Sequence, residues 1–275
     1  MMLDQRSHFS SYLTQLLSQG QVFFSAAQAQ QALGISKGAL LAAAERQQKR
    51  GNLIRPQRGF YVIVPPEYRA MGALPPSWYI DALMVHTQRP YYVGLLKAAE
   101  LHGATHQAVM EFQVVTDKQL TKIRAGRSSI VFYYRKDLSA VEEGLGNYKT
   151  KTGTMKISGP ELTALDLLRY PHAAGGYSHI ATVLSDLGER IEPENLAMLS
   201  GAFERSVGQR LGFLLGYCGH GVKADALHAR LAEGSPLPWV ELEPALAADP
   251  DFAPDVVERS ERWHVIGRRA PEADT

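Results

Sequence analysis

Six basic side chains lie close together near the start of the chain: Lys37, Arg46, Lys49, Arg50, Arg55 and Arg58. Their types suit contact with a polyanion, because long cationic side chains neutralise phosphates and the arginine fork also pairs with guanine in a major groove. Charge is divided along the chain in the same sense. Residues 1–69 hold eight Lys and Arg against three acids, a balance of +5. The whole 275-residue chain carries 29 basic and 28 acidic residues, so 21 and 25 remain after position 69, a balance of −4. Such a split assigns the polyanion to the first part and another task to the rest.

The elements that must position these side chains are legible in the spacing. Phe9, Tyr12, Leu13, Leu16 and Leu17 give Ser7–Leu17 the period of an amphipathic helix, ended by Gly20. After Val22-Phe23-Phe24, Ser25 caps a second helix through Leu33, with Gly34 as its left-handed terminus. Ser36 caps a third, Lys37–Arg50, closed by Gly51. Leu53–Arg55 and Phe60–Val64 read as two strands joined around Pro56-Gln57-Arg58-Gly59. Three helices and a basic hairpin are the order of a winged helix-turn-helix. On the third helix, Leu40, Leu41, Ala44 and Gln47 fall inward, while Gly38, Ala39, Ala42, Arg46 and Lys49 fall outward. Small outward residues allow close approach to base edges, and Arg46, Lys49 and Arg50 reach bases or phosphates from there. Arg58, at the wing tip, is placed for a phosphate or the minor groove. Gln47 stands where the inner stripe predicts a leucine.

Pro65-Pro66 and Pro75-Pro76 bracket a linker. Beyond it, Trp78–Thr87 and Tyr91–Leu101 read as helices, the second ended by Gly103. Val109–Thr116, Ile130–Tyr134 and Tyr148–Ile157 read as strands by their β-branched and aromatic content, the last with Lys and Thr alternating around it. In SGPELTALDLLRYPHAAGG, Ser158 and Glu161 have capping-box spacing, Pro160 sits in the first turn, Leu162, Leu165 and Leu168 form an inner face, and Pro171 stops the helix. Helices follow at Ser178–Leu187, Pro193–Phe203, Ser206–Tyr217 and Ala224–Ala232. Trp239 and Trp263 flank a segment in which Glu241, Glu243, Asp249, Asp251, Asp255 and Glu258 occur without a basic residue.

Catalytic signatures are scarce. There is no phosphate-cradling G-x-x-x-x-G-K-[ST], no G-x-S-x-G elbow, and GLGNYK lacks the third glycine and helix of a dinucleotide turn. His102 and His106 have the i, i+4 spacing of helical metal ligands, but Gly103 ends the helix between them. The enzymatic alternative is a metal-dependent nuclease built on Glu111, with Asp117 and Lys118 just after its strand. The lysine that chemistry needs two positions after the glutamate is Gln113 instead. Asp166 reads as a helix-surface or capping acid. No catalytic residue, metal or cofactor is therefore expected. A second basic group, Lys118, Lys122, Arg124 and Arg127 with Arg135 and Lys136 beyond, would extend a DNA footprint, contact a protein or RNA, or serve as a solvated loop. Cys218, the single cysteine, is expected as a buried thiol. The start of the chain has no basic, apolar leader and no apolar run approaches a membrane span, so a cytoplasmic protein is expected.

YYVGLLKAAELHGATHQ (Tyr91–Gln107), FQVVT (Phe112–Thr116) and ISGPELTALDLLRYPHAAGG (Ile157–Gly176), behind a winged region ending RGFYVI, resemble the AbiEi antitoxins of type IV toxin–antitoxin pairs. The similarity runs over roughly residues 5–235, and the tail beyond Ser235 lies outside it. The resemblance implies a protein that represses its own operon through operator DNA and opposes a nucleotidyltransferase-like toxin, in systems associated with abortive infection by phage. The alternative is a stand-alone winged-helix regulator. The expected architecture is α/β (α+β): a winged helix-turn-helix over 1–70, then a larger mixed α/β antitoxin domain over 71–275. That domain divides into a mixed sheet at about 71–157, a helical part at about 158–235 and an acidic tail over 236–275.

Overall fold

A computed structural model describes residues 2–105, 108–249 and 252–270, with side chains from His8 onward. Contacts divide the chain into two compact units. One comprises Met1–Tyr91, Met110–Lys136 and Asn147–Lys156, and the other Tyr92–Val109, Asp137–Gly146 and Ile157–Thr275. Among the described residues, no helix is long and apolar enough to cross a membrane.

The first unit begins with α1 (Met2–Ser18), β1 (Phe23–Ser25), α2 (Ala26–Leu33), α3 (Lys37–Lys49), β2 (Leu53–Gln57) and β3 (Phe60–Ile63). Ser25 and Gln28 form a reciprocal capping box at the start of α2, and Gly34 ends it at φ 61°. Ser36 accepts from the Ala39 amide to cap α3. Phe9, Leu13 and Leu16 of α1 meet Phe24, Leu40, Ala44, Leu53 and Tyr61 in one apolar core. Phe24 stacks on Tyr61 with ring centroids 5.3 Å apart. The expected short apolar piece at 22–24 thus becomes a strand, β1, paired antiparallel to β3 in the order β1-β3-β2.

Gln47 is buried at 6% exposure, and its amide explains why no leucine stands there. It donates to the Ser10 hydroxyl (2.9 Å) and accepts from the Asn52 side chain (2.8 Å), while the Asn52 amide bonds the Gln47 carbonyl. One side chain therefore joins α1, the end of α3 and the approach to β2. Gln47→Leu leaves two half-buried polar groups without their partner, so it should destabilise the protein by about 1 kcal/mol despite the better apolar match. A lowered denaturation midpoint would register this, and a raised one would show the network to be dispensable.

The same unit continues with α4 (Ile80–His86), β4 (Tyr91–Val93), β5 (Glu111–Thr116), β6 (Ile123–Ala125), β7 (Ser128–Tyr134), β8 (Leu145–Thr150) and β9 (Gly153–Ser158). These strands form a six-stranded sheet in the order β6-β7-β5-β4-β9-β8, the ends of β4, β8 and β9 belonging to the second unit. β5 pairs parallel to β7 over its whole length, and β6 pairs antiparallel to β7. Three expectations need correction. Tyr91–Val93 is strand, not the start of a helix, because three buried β-favouring residues follow Pro90 and the helix waits for the Gly94 N-cap. Tyr148–Ile157 is two strands, turning at Lys151-Thr152 ahead of Gly153. And β6 lies inside what reads as a basic loop.

In the second unit, α5 (Leu95–Leu101), α6 (Pro160–Arg169), α7 (Tyr177–Leu187), α8 (Pro193–Ser200), α9 (Arg205–Tyr217) and α10 (Asp225–Ala232) build the core. Every residue of α6 from Glu161 to Leu168 is buried, so α6 is a central helix, not an amphipathic one. Its N-cap is Gly159 and no side chain caps it, which corrects the capping box. Ser158 instead hydrogen-bonds Thr163 at 2.7 Å inside the core, and Glu161 accepts from the Glu192 amide. Asp166 is wholly buried and accepts from the Tyr92 hydroxyl at 2.7 Å, so it is not a surface acid. Cys218 is half-buried, its thiol bonded to the Ala181 carbonyl and pushed up in pKa by burial.

Past α10 the chain folds again. β10 (Val240–Glu241), β11 (Glu258–Ser260) and β12 (Val265–Gly267) make a small sheet in the order β10-β12-β11. Arg268 forks onto the Glu241 carboxylate at 2.9 and 3.1 Å. Buried Trp263 lies against α9 where Gly212 leaves room, since a Cβ there would stand 2.2 Å from the ring. Gln209, also buried, donates to the carbonyls of Pro238 and Trp263. Asp251 of the acidic segment lies outside the described residues.

Candidate nucleic-acid interface

The helix α3 runs for about 18 Å at 1.5 Å per residue, enough to lie in a major groove. Leu40, Ala43, Ala44 and Gln47 are its buried side. Leu41, expected inward, is 42% exposed, and Ala43 takes its place in the core. Lys37, Gly38, Ala42, Arg46 and Lys49 are exposed on α3, and Arg50 is exposed at its C-cap. Lys49 holds an ion pair with Glu45 at 2.8 Å, and that hydrogen-bonded ammonium keeps the Glu45 carboxyl below its usual range. Both partners are well exposed, so the pair is screened and exchangeable. The i, i+4 spacing of Glu45 and Lys49 signalled this partner, which the reading of basic residues alone passed over.

The wing is a tight hairpin. Gln57 pairs with Phe60 across Arg58-Gly59, Gly59 taking φ 80°, and the register shifts between Ile54 and Gln57, where Pro56 has no amide to donate. Arg55 and Arg58 are exposed. The turn is fixed from two sides: the Gly59 carbonyl accepts from the Ala26 amide, and a His86 ring nitrogen lies 3.1 Å from the Arg58 carbonyl. The Arg58 guanidinium is thereby projected from an anchored backbone.

Lys118, Lys122, Arg124 and Arg127 are all exposed, whereas Arg135 is buried and leaves the basic surface. The structure brings part of this second group to the wing. Arg55 and Gln57 of β2 line one cleft of about 290 Å³ together with Lys122 and Arg124 of β6, over Met84 and Phe132. Lys122 also bonds Glu111 at 2.6 Å. That pairing occupies the glutamate on which the nuclease alternative rested, and Asp117 faces Arg89 at 3.4 Å. His102 sits past the end of α5 with a ring nitrogen 2.7 Å from the Ser158 carbonyl, and His106 lies outside the described residues. Among the described residues, no three His, Cys, Asp or Glu are grouped to hold a metal ion.

A three-helix core closed by a short hairpin, with the cations of its third helix turned to solvent, defines a protein with a winged helix-turn-helix module. A family model described as "Transcriptional regulator, AbiEi antitoxin" matches residues 11–64, and one described as "AbiEi antitoxin C-terminal domain" matches residues 92–217. The chain belongs to the AbiEi antitoxin family. Comparison with curated proteins gave no match. Among solved structures, the RV2827C protein from Mycobacterium tuberculosis has a similar fold, with a TM-score of 0.67, 16% identity, and coverage of 94% of this chain and 90% of that one.

Proposed function

We propose that this protein is a cytoplasmic, non-catalytic antitoxin of a type IV pair that represses its own operon and counteracts a nucleotidyltransferase-like toxin. The winged module over 1–70 reads the operator and the remainder, 71–275, supplies antitoxicity. Lys37, Arg46, Lys49 and Arg50 contact the duplex from α3, Arg55 and Arg58 from the wing. The observation that carries the reading is the exposed basic side of α3 above a neutral, apolar one, in a chain of the AbiEi antitoxin family. Lys122 and Arg124, across the cleft from Arg55, support a footprint that continues past the wing.

Two measurements test the proposal. Co-expression with a neighbouring nucleotidyltransferase gene product should restore growth, and the purified chain should retard its own promoter fragment in a gel. Retardation without rescue would leave a stand-alone regulator, and metal-dependent nicking of the fragment would reinstate the nuclease.

A further inference from the structure

The wing does not rest on the three-helix core alone. Leu83, Met84 and Thr87 of α4 line one cleft with Arg55, Pro56 and Gln57 of β2, and all of these residues fall in the same compact unit. At the end of α4 the His86 ring reaches the turn itself. Its Nε2 lies 3.1 Å from the Arg58 carbonyl oxygen, and its centroid stands 5.4 Å from that of buried Phe60. A carbonyl only accepts, so Nε2 carries the hydrogen and donates. A Cβ built on Gly59 would stand 3.6 Å from the ring, so the imidazole covers the turn as well as bonding it.

The helix is fastened in turn to the six-stranded sheet. The Tyr91 hydroxyl of β4 donates to the Asp81 carboxylate, in the first turn of α4, at 2.9 Å and accepts from the Lys156 amide of β9 at 3.3 Å. Ile80, Leu83 and Met84 are buried, which leaves α4 little freedom to roll. A continuous series of contacts therefore runs from β9 through Tyr91, Asp81 and α4 to the backbone of Arg58, all within the first unit.

From this placement we infer that His86 is a positioning residue for the wing. It holds the Arg58 backbone so that the guanidinium stands where a phosphate passes, and the DNA-reading unit extends beyond residues 1–70 to α4. A side chain on a long flexible stem contacts a phosphate at lower entropic cost when its backbone is already fixed. The inference rests on the assignment of Arg58 to the duplex proposed above.

Two measurements on the full chain test it, one without DNA and one with it. Trypsin cleaves after arginine but not before proline, so within the wing Arg55-Pro56 resists and Arg58-Gly59 is the cleavable bond. His86→Ala should speed cleavage there by about five-fold, the shift in opening expected for one lost hydrogen bond, with cleavage elsewhere and the denaturation midpoint close to wild type. His86→Gln, whose amide nitrogen reaches the place of Nε2, should restore the slow rate. In gel shifts of the promoter fragment over a salt series, Arg58→Ala should lower the salt slope by about 0.9 and His86→Ala by a smaller amount in the same direction. The double variant should bind no more weakly than Arg58→Ala, because a positioning residue has nothing to act on once the guanidinium is gone. Unchanged cleavage at Arg58 in His86→Ala, equal acceleration at every site, or losses that add in the double variant overturn the inference and leave operator reading in place. Unchanged promoter affinity and salt slope in Arg58→Ala overturn both.

Discussion

Alanine at both Arg46 and Lys49 should lower affinity for the promoter duplex on the order of a hundred-fold, from about 1.4 kcal/mol for each side chain that reaches the groove. The fold itself should survive, because both side chains are exposed and neither enters the core around Leu40 and Ala44. Arg58→Ala should act differently. A wing arginine on a phosphate weakens binding to every duplex alike and reduces the salt slope by about 0.9. Gel shifts over a salt series with promoter and unrelated fragments separate the two effects. Unchanged promoter affinity in the Arg46/Lys49 variant would remove α3 as the reading element. Glu45→Gln provides an internal check, since removing the partner of Lys49 takes an acid away from the approaching phosphates and should tighten binding slightly.

Trp263→Ala should cost about 3–5 kcal/mol of stability, the range for emptying a large buried aromatic site. The ring fills the space that Gly212 leaves open on α9, and the Trp263 carbonyl accepts from the side-chain NH2 of buried Gln209. Gly212→Ala attacks the same contact from the other side, pressing a methyl group into the ring. If the two residues share one seat, the double variant should be less destabilised than the sum of the singles, because the methyl then enters the vacated space. Chemical denaturation of the three variants gives the coupling. A loss below about 1 kcal/mol for Trp263→Ala would mean that the C-terminal sheet hangs on α9 without supporting it.

Local signals account for most of what was legible. Ser25, Gly34, Ser36 and the Arg58-Gly59 turn each act within a few residues, and the elements they bound appear where they were expected. What escaped depended on distant partners. Tyr91–Val93 looked like the first turn of a helix because the strand that makes it a strand lies more than sixty residues away, Val93 pairing with Ile157. Ser158 had the spacing of a cap, but Thr163 and the Val93 carbonyl claimed its hydroxyl. The period of α6 suggested one apolar face, and helices packed all round it buried Asp166 too. At the candidate interface, the residue types were readable from spacing. The approach of Arg55 to Lys122 and Arg124 was not, since it joins strands some seventy residues apart.

The first unit is not one run of chain but three, and the last of them ends at Lys156. A ribosome must therefore have passed the codon for Lys156 before the strand beside Arg55 and the β8–β9 hairpin are both available. A nascent polypeptide that already displays α3 still lacks the strands β5 to β9 that complete the first unit.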